Sequence, residues 1–136
     1  MQYAPVLIAV STLSNSGVHP SNCGVHPFPP AGAICVGFNV FRPGDAKETA
    51  VCFKLAMENR NTPSALLLTR QGLPVSEMDY SKIESGVKNG AYIRQDCEGS
   101  PEIVLIATGS EVALAIETAK RMDDKNCRII SMPCME

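Results

Sequence analysis

The chain has 136 residues, with 12 Lys and Arg set against 14 Asp and Glu for a net charge of −2. That length holds one small domain or two partial ones; the charge balance leaves no electrostatic footprint for nucleic acid and no basic run for an anionic membrane. No Lys, Arg, Asp or Glu precedes Arg42, so every charge falls in the later part of the chain.

Residues 1–38 therefore read as an uncharged, Pro/Gly-rich segment of unknown origin, irregular apart from two strand-length apolar runs, Val6 to Val10 and Ile34 to Phe38. The tetrapeptide Gly17-Val18-His19-Pro20 recurs as Gly24-Val25-His26-Pro27, and two copies do not make a solenoid. His19, His26 and Cys23 carry metal-binding atoms, but both histidines precede prolines and a fourth ligand is missing, so no metal site is assigned. No basic residue precedes the apolar Pro5 to Val10 run, which fits a signal peptide poorly. The longest apolar runs elsewhere, Ala65 to Leu68 and Ile103 to Ala107, fall far short of the roughly 20 residues of a membrane helix. Six cysteines (23, 35, 52, 97, 127 and 134) form no C-x-x-C pair and read as reduced, packed thiols, which points to the cytoplasm.

Beyond Asn39 the pattern becomes that of a folded surface. Asp45, with Glu48 three residues later, predicts a capped helix start. The spacing puts Ala46, Ala50, Phe53 and Met57 on its inner face, with Val51 and Leu55 beside them. Lys47, Glu48, Lys54, Glu58 and Arg60 are assigned to the solvent side. The helix should end ahead of Pro63. Ala65 to Thr69 is then a continuous apolar run, as expected of a strand buried on both faces of a parallel sheet.

Arg70 follows that strand at once. Ligands of open α/β sheets bind beyond the carboxyl ends of strands, and a guanidinium there pairs bidentately with phosphate or carboxylate. A surface or interdomain salt bridge would place an arginine there equally well. Ser76 to Lys88 is polar and weakly periodic, with Gly86 and Gly90 as breakers, and reads as an interdomain linker. Ala91 to Gln95 and Glu102 to Ala107 are strand-like. Thr108-Gly109-Ser110-Glu111 opens a helix with Val112, Ala115, Ile116, Ala119 and Met122 at core spacing, and Arg128 to Met132 returns as a strand. Residues 102–132 thus form a parallel β-α-β unit. Its helix start lacks any nucleotide fingerprint and is read as structural capping by Ser110. The fold class is α/β: partial units of two parallel-sheet domains joined by a linker, behind an irregular N-terminal segment. Ala65 to Thr69 and Arg128 to Met132 are expected to lack neighbours within the chain, which implies poor solubility or a loosely packed monomer.

The wording of three blocks goes beyond periodicity. Asn39-Val40-Phe41-Arg42-Pro43-Gly44-Asp45, Pro63 to Pro74 (with Leu68-Thr69-Arg70-Gln71-Gly72-Leu73), and Glu102 to Val112 closely resemble transketolases, and Arg128 to Pro133 matches the next strand of that family. The resemblance begins near Asn39, almost where the charges begin. It implies that residues 39–75 are the end of a pyrimidine-binding domain, 76–100 a linker, and 101–136 the start of a C-terminal domain. It also implies a family reaction, the transfer of a two-carbon ketol unit between sugar phosphates. That reaction uses thiamine diphosphate and Mg at sites formed between two subunits, and it is expected in the cytoplasm as part of the pentose phosphate pathway.

Within that resemblance Arg70 aligns with the arginine of the (S/T)-R-Q motif that binds the substrate phosphate, although Gly72 stands where the family commonly has Asn. The family's diphosphate-binding domain, its Gly-Asp-Gly metal motif and the glutamate that activates the cofactor ring have no counterpart in this sequence, and His19 and His26 take no family role. The expectation is a transketolase-like fragment, inactive alone, with no catalytic, cofactor or metal residues assigned. Thiamine diphosphate and Mg are cofactors of the family rather than of this chain by itself. A non-catalytic assembly module that associates with a transketolase subunit is the alternative, as is a truncated gene product.

Overall fold

In a computed structural model of the chain, residues 6–11, 39–122 and 124–135 are described, residues 6–11 for their backbone. Three parallel strands form the first sheet: β1 (Val6–Ser11), β2 (Asn39–Phe41) and β3 (Ser64–Thr69), in the order β1-β3-β2. Helix α1 (Ala46–Glu58) joins β2 to β3. Helix α2 (Tyr80–Lys88) leads to a second sheet of β4 (Tyr92–Gln95), β5 (Ile103–Ala107) and β6 (Cys127–Ser131), ordered β4-β6-β5, with α3 (Glu111–Arg121) between β5 and β6. The second sheet is mixed: β5 and β6 are parallel, as their β-α-β pattern predicts, and β4 runs antiparallel to β6.

Both apolar strands expected to lack neighbours have two. β3 is central because β1 pairs with it residue for residue from Val6↔Ser64 to Ser11↔Thr69, and β2 lies on its other side. β6 is central in the second sheet. The Val6 to Val10 run is therefore part of the fold, whereas Ile34 to Phe38 and the two His-Pro repeats lie outside the described residues.

Helix α1 starts where expected. Asp45 has extended backbone (φ −156°), and its Oδ1 accepts from the Glu48 N–H at 2.8 Å, satisfying one of the donors a helix start leaves unpaired. The inward face differs from the pattern. Glu48, Val51, Cys52 and Ala56 are buried, while Phe53 and Met57 are 42% and 56% exposed, and Ala46 and Ala50 are also exposed. An acidic residue in the inner stripe defeats a hydrophobic count. Glu48 is tolerated there because its carboxylate is hydrogen-bonded on all sides, as described below.

The segment expected to be a linker carries α2. Its Ile83 and Val87 are buried against α1, and polar ties hold it there: Lys47 Nζ to the Met78 carbonyl at 2.9 Å and Lys54 on Glu84 at 2.9 Å, while Lys88 pairs with Glu84 at 3.1 Å within α2 itself. Gly86 lies inside the helix rather than breaking it. One core results, in which Phe41, Val51, Cys52, Ala56 and Leu66 pack with Ile83 and Val87 of α2 and with Cys134 beyond β6. A second, smaller core lies under α3, where Ala119, Cys127 and Ile129 meet Ile103, Leu105, Ala115, Ile116 and Met122. Among the described residues no helix is long and apolar enough to cross a membrane.

Candidate functional site

An arginine follows directly after each of β2 and β3. Arg70, the residue after β3, is exposed, and no hydrogen bond or ion pair ties it to any of the described residues. The chain turns directly after it: the Gln71 N–H donates to Thr69 Oγ1 at 3.1 Å, spanning the arginine with a side-chain-closed turn. Its guanidinium is thus presented to solvent at the carboxyl edge of a central parallel strand.

Arg42, one residue past β2, is engaged instead. Its Nη2 lies 3.5 Å from Glu111 Oε2, and its carbonyl accepts from the Gly109 N–H at 2.9 Å. Gly109 has φ +60°, the left-handed conformation that glycine adopts without cost, and this turns its N–H toward β2. Ser110 takes the helix-boundary position with αR backbone and makes no side-chain cap, contrary to the reading of it as the capping residue. With Ser110 already helical, its hydroxyl does not turn back toward the next N–H groups as an extended N-cap would. Glu111 supplies the negative charge in the first turn of α3, where the helix dipole favours it. Its Oε2 is buried, makes no hydrogen bond and has the Arg42 ion pair as its polar contact.

Between the two sheets lies a polar node that sequence pattern does not reveal. Glu48 is 1% exposed. Its Oε2 accepts from the Gly44 N–H at 2.6 Å, and its Oε1 accepts from the Tyr92 hydroxyl and the Ser131 hydroxyl, each at 2.6 Å. Asp45 is the second member: besides capping α1, its Oδ2 accepts from the Ser76 N–H at 2.9 Å and lies 3.6 Å from Arg94 Nη2. Arg94 reaches it because the β4–β6 register slips between Ile93 and Gln95, and such a bulge re-aims the extra residue.

Ionisation in this region follows from burial. Tyr92 is held well above the ordinary phenol value, first by desolvation and then by its hydrogen bond to the Glu48 carboxylate, so it stays a donor. Burial, reinforced by the Glu48 charge, pushes the Cys52 thiol up as well, and a protonated buried thiol is a poor nucleophile. Cys52, Cys97, Cys127 and Cys134 form no disulfide among the described residues, and Cys52, Cys127 and Cys134 are buried; Cys23 and Cys35 lie outside the described residues. Among the described residues no three His, Cys, Asp or Glu side chains converge to hold a metal ion, and Asp45 and Glu48 are taken up by internal donors. The described residues therefore assemble no metal–diphosphate centre. Among the described residues, Arg70 is an exposed cation with no ion pair.

Comparison with known proteins agrees with the fold. Residues 90–136 match the family described as the Transketolase-like TK C-terminal domain. A transketolase of Staphylococcus aureus (strain MW2) is 46% identical over 97 residues, covering 70% of this chain and 15% of that protein. Among solved structures, the transketolase from Leishmania mexicana superposes with a TM-score of 0.65 at 36% identity, over 73% of this chain and 14% of that one. A split-gene transketolase described as an inactive β4 tetramer shares the fold, with a TM-score of 0.58 at 22% identity over 72% of this chain and 31% of its own. The chain thus spans about 15% of the length of the curated relatives it matches. The family match over residues 90–136, the 46% identical relative and the matching fold together support this chain as a fragment of the transketolase family.

Proposed function

We propose that the chain carries the substrate-phosphate anchor of a transketolase, Arg70, and that by itself it does not catalyse transfer of a two-carbon ketol unit between sugar phosphates. The observation that carries this reading is Arg70, exposed at the carboxyl end of β3 and unengaged among the described residues. One guanidinium supplies binding and orientation, while most of an enzyme's rate comes from holding several reacting groups together. In this reading residues 39–75 are the end of a pyrimidine-binding domain, 76–100 the connection and 101–136 the start of a C-terminal domain. The sugar phosphate is the ligand, thiamine diphosphate and Mg belong to the complete family enzyme, and the setting is cytoplasmic.

The test has two arms. Isothermal titration of the chain with ribose 5-phosphate should show weak binding that Arg70→Gln abolishes; equal binding by both proteins would refute the anchor. An assay with xylulose 5-phosphate, ribose 5-phosphate, thiamine diphosphate and Mg²⁺ should show no turnover, and turnover by the purified chain would refute inactivity.

A second reading, an assembly module that joins a transketolase subunit, is favoured by one observation. Ile93, Val104 and Ile106 are 43%, 47% and 60% exposed on the strands of the second sheet. Parallel strands are ordinarily covered on both faces. The similar split-gene transketolase is described as a tetramer of β chains. Sedimentation of the chain with and without a transketolase lacking this region distinguishes the readings: a stable mixed complex supports assembly, and independent sedimentation counts against it.

A further inference from the structure

We propose that Glu48 is a coupling pin, a buried carboxylate whose hydrogen bonds join the two sheets into one unit that opens and closes as a whole. This inference is independent of any ligand or activity. A carboxylate this deeply buried is unfavourable unless its oxygens are saturated with donors. Of its three donors, Gly44 belongs to the loop that starts α1, but Tyr92 is on β4 and Ser131 is on β6, 44 and 83 positions away. While buried, the carboxylate is therefore satisfied by donors that the docked second sheet supplies. Pulling the sheets apart leaves Glu48 Oε1 without both of its short bonds.

The surroundings strengthen the coupling. Asp45, adjacent to Glu48, binds Ser76 on the connection toward α2 and is paired with Arg94 on β4, so both acidic side chains at the start of α1 reach across to later elements. Tyr92 and Cys52, the other titratable groups facing this carboxylate, remain protonated and bring no competing charge. Apolar contacts also hold the units together but lack direction, and the backbone bonds of Arg42 with Gly109 and Pro133 fix the β2 end rather than α1. Two 2.6 Å bonds onto one oxygen fix the register of β4 and β6 against α1.

Native-state hydrogen exchange of the full chain tests the proposal, because cooperative units exchange their protected amides through a common opening. In the wild-type chain the slowest amides of α1 and β3 should open together with those of β5, α3 and β6. The double variant Tyr92→Phe/Ser131→Ala keeps the Gly44 bond and the Asp45 cap and deletes both of the bonds from Glu48 to the second sheet. In it the amides of β5, α3 and β6 should exchange at least tenfold faster than those of α1 and β3. Tyr92→Phe alone, which keeps the ring, should separate the two sets in the same direction by a smaller factor and serves if the double variant does not fold. The proposal is overturned if the two sets already open separately in the wild type, or if the variant that folds shifts both sets equally or neither.

Discussion

The ring of Tyr92 lies directly on the backbone of Gly86: a Cβ added to that glycine would stand 2.4 Å from the ring Cγ and 2.5 Å from the Tyr92 Cβ. Gly86 is the buried contact surface of α2, and its missing side chain is what allows the tyrosine to lie flat and reach Glu48. Inside an ordinary helix, replacing glycine by alanine gains about 1 kcal/mol of helix propensity. Here overpacking should cost about 1–3 kcal/mol, and the Tyr92 hydrogen bond is displaced as well. Gly86→Ala should therefore lower the melting temperature. In a Tyr92→Ala background the same change should become neutral or stabilising, and absence of that reversal in a double-mutant cycle would contradict the contact.

Stability should fall on the alkaline side in two stages. The unfolded Cys52 thiol ionises near its ordinary value of about 8.5 and the unfolded Tyr92 phenol near about 10, while both folded groups are pushed well above these values. Below those values neither group contributes a slope. Above each one, the unfolded chain binds fewer protons than the folded chain, and stability drops by at most about 1.4 kcal/mol per pH unit for the buried Cys52 and by less for the half-buried Tyr92, whose shift solvent screens. Urea unfolding from pH 7 to 11 should show this limb. Cys52→Ala should flatten it from about pH 8.5 and Tyr92→Phe from about pH 10; an unchanged slope in both would rule out the assignment.

Asp45 combines three jobs, capping α1, binding the Ser76 N–H and facing Arg94. Asp45→Ala removes a cap worth about 1 kcal/mol and strands a second buried donor worth about 1–3 kcal/mol. A total loss of about 2–4 kcal/mol is expected from the denaturant midpoint. Asp45→Asn keeps one acceptor oxygen and should lose about half as much. Equal losses in the two variants would show that the charge facing Arg94, rather than the cap, dominates.

Arg70 should be dispensable for folding. It is exposed and makes no hydrogen bond or ion pair with the described residues, so Arg70→Gln should change stability by less than about 0.5 kcal/mol. A larger loss in chemical unfolding would reveal a structural role and weaken its reading as a ligand anchor.

The regular elements were legible where local signals agreed. A cap residue preceded α1, a continuous apolar run marked β3, and alternation of strand, helix and strand marked β5, α3 and β6. Helix α2 was not legible, because nine mostly polar residues buried only Ile83 and Val87 beside Gly86, and a glycine that permits close packing looks the same in sequence as one that ends a helix. Glu48 carried a local signal, the spacing from Asp45, and that spacing accounts for the cap. It could not announce Tyr92 and Ser131, which come from strands 44 and 83 positions later. Arg70 was legible as a position, since the residue after a buried parallel strand emerges at the sheet's carboxyl edge.

The short edge strand β2 meets a residue from beyond β6: Phe41 bridges to Cys134 in antiparallel fashion, and the Arg42 N–H donates to the Pro133 carbonyl at 2.7 Å. Because both residues 41 and 134 belong to the larger core, that core cannot be completed by local chain search. Nucleation around α1 and β3 has to wait for a long loop to close, and loop closure over such separations slows folding. During vectorial synthesis the larger core stays open until residue 134 has emerged. Until the segment after β6 arrives, that core remains open to proteases and chaperones.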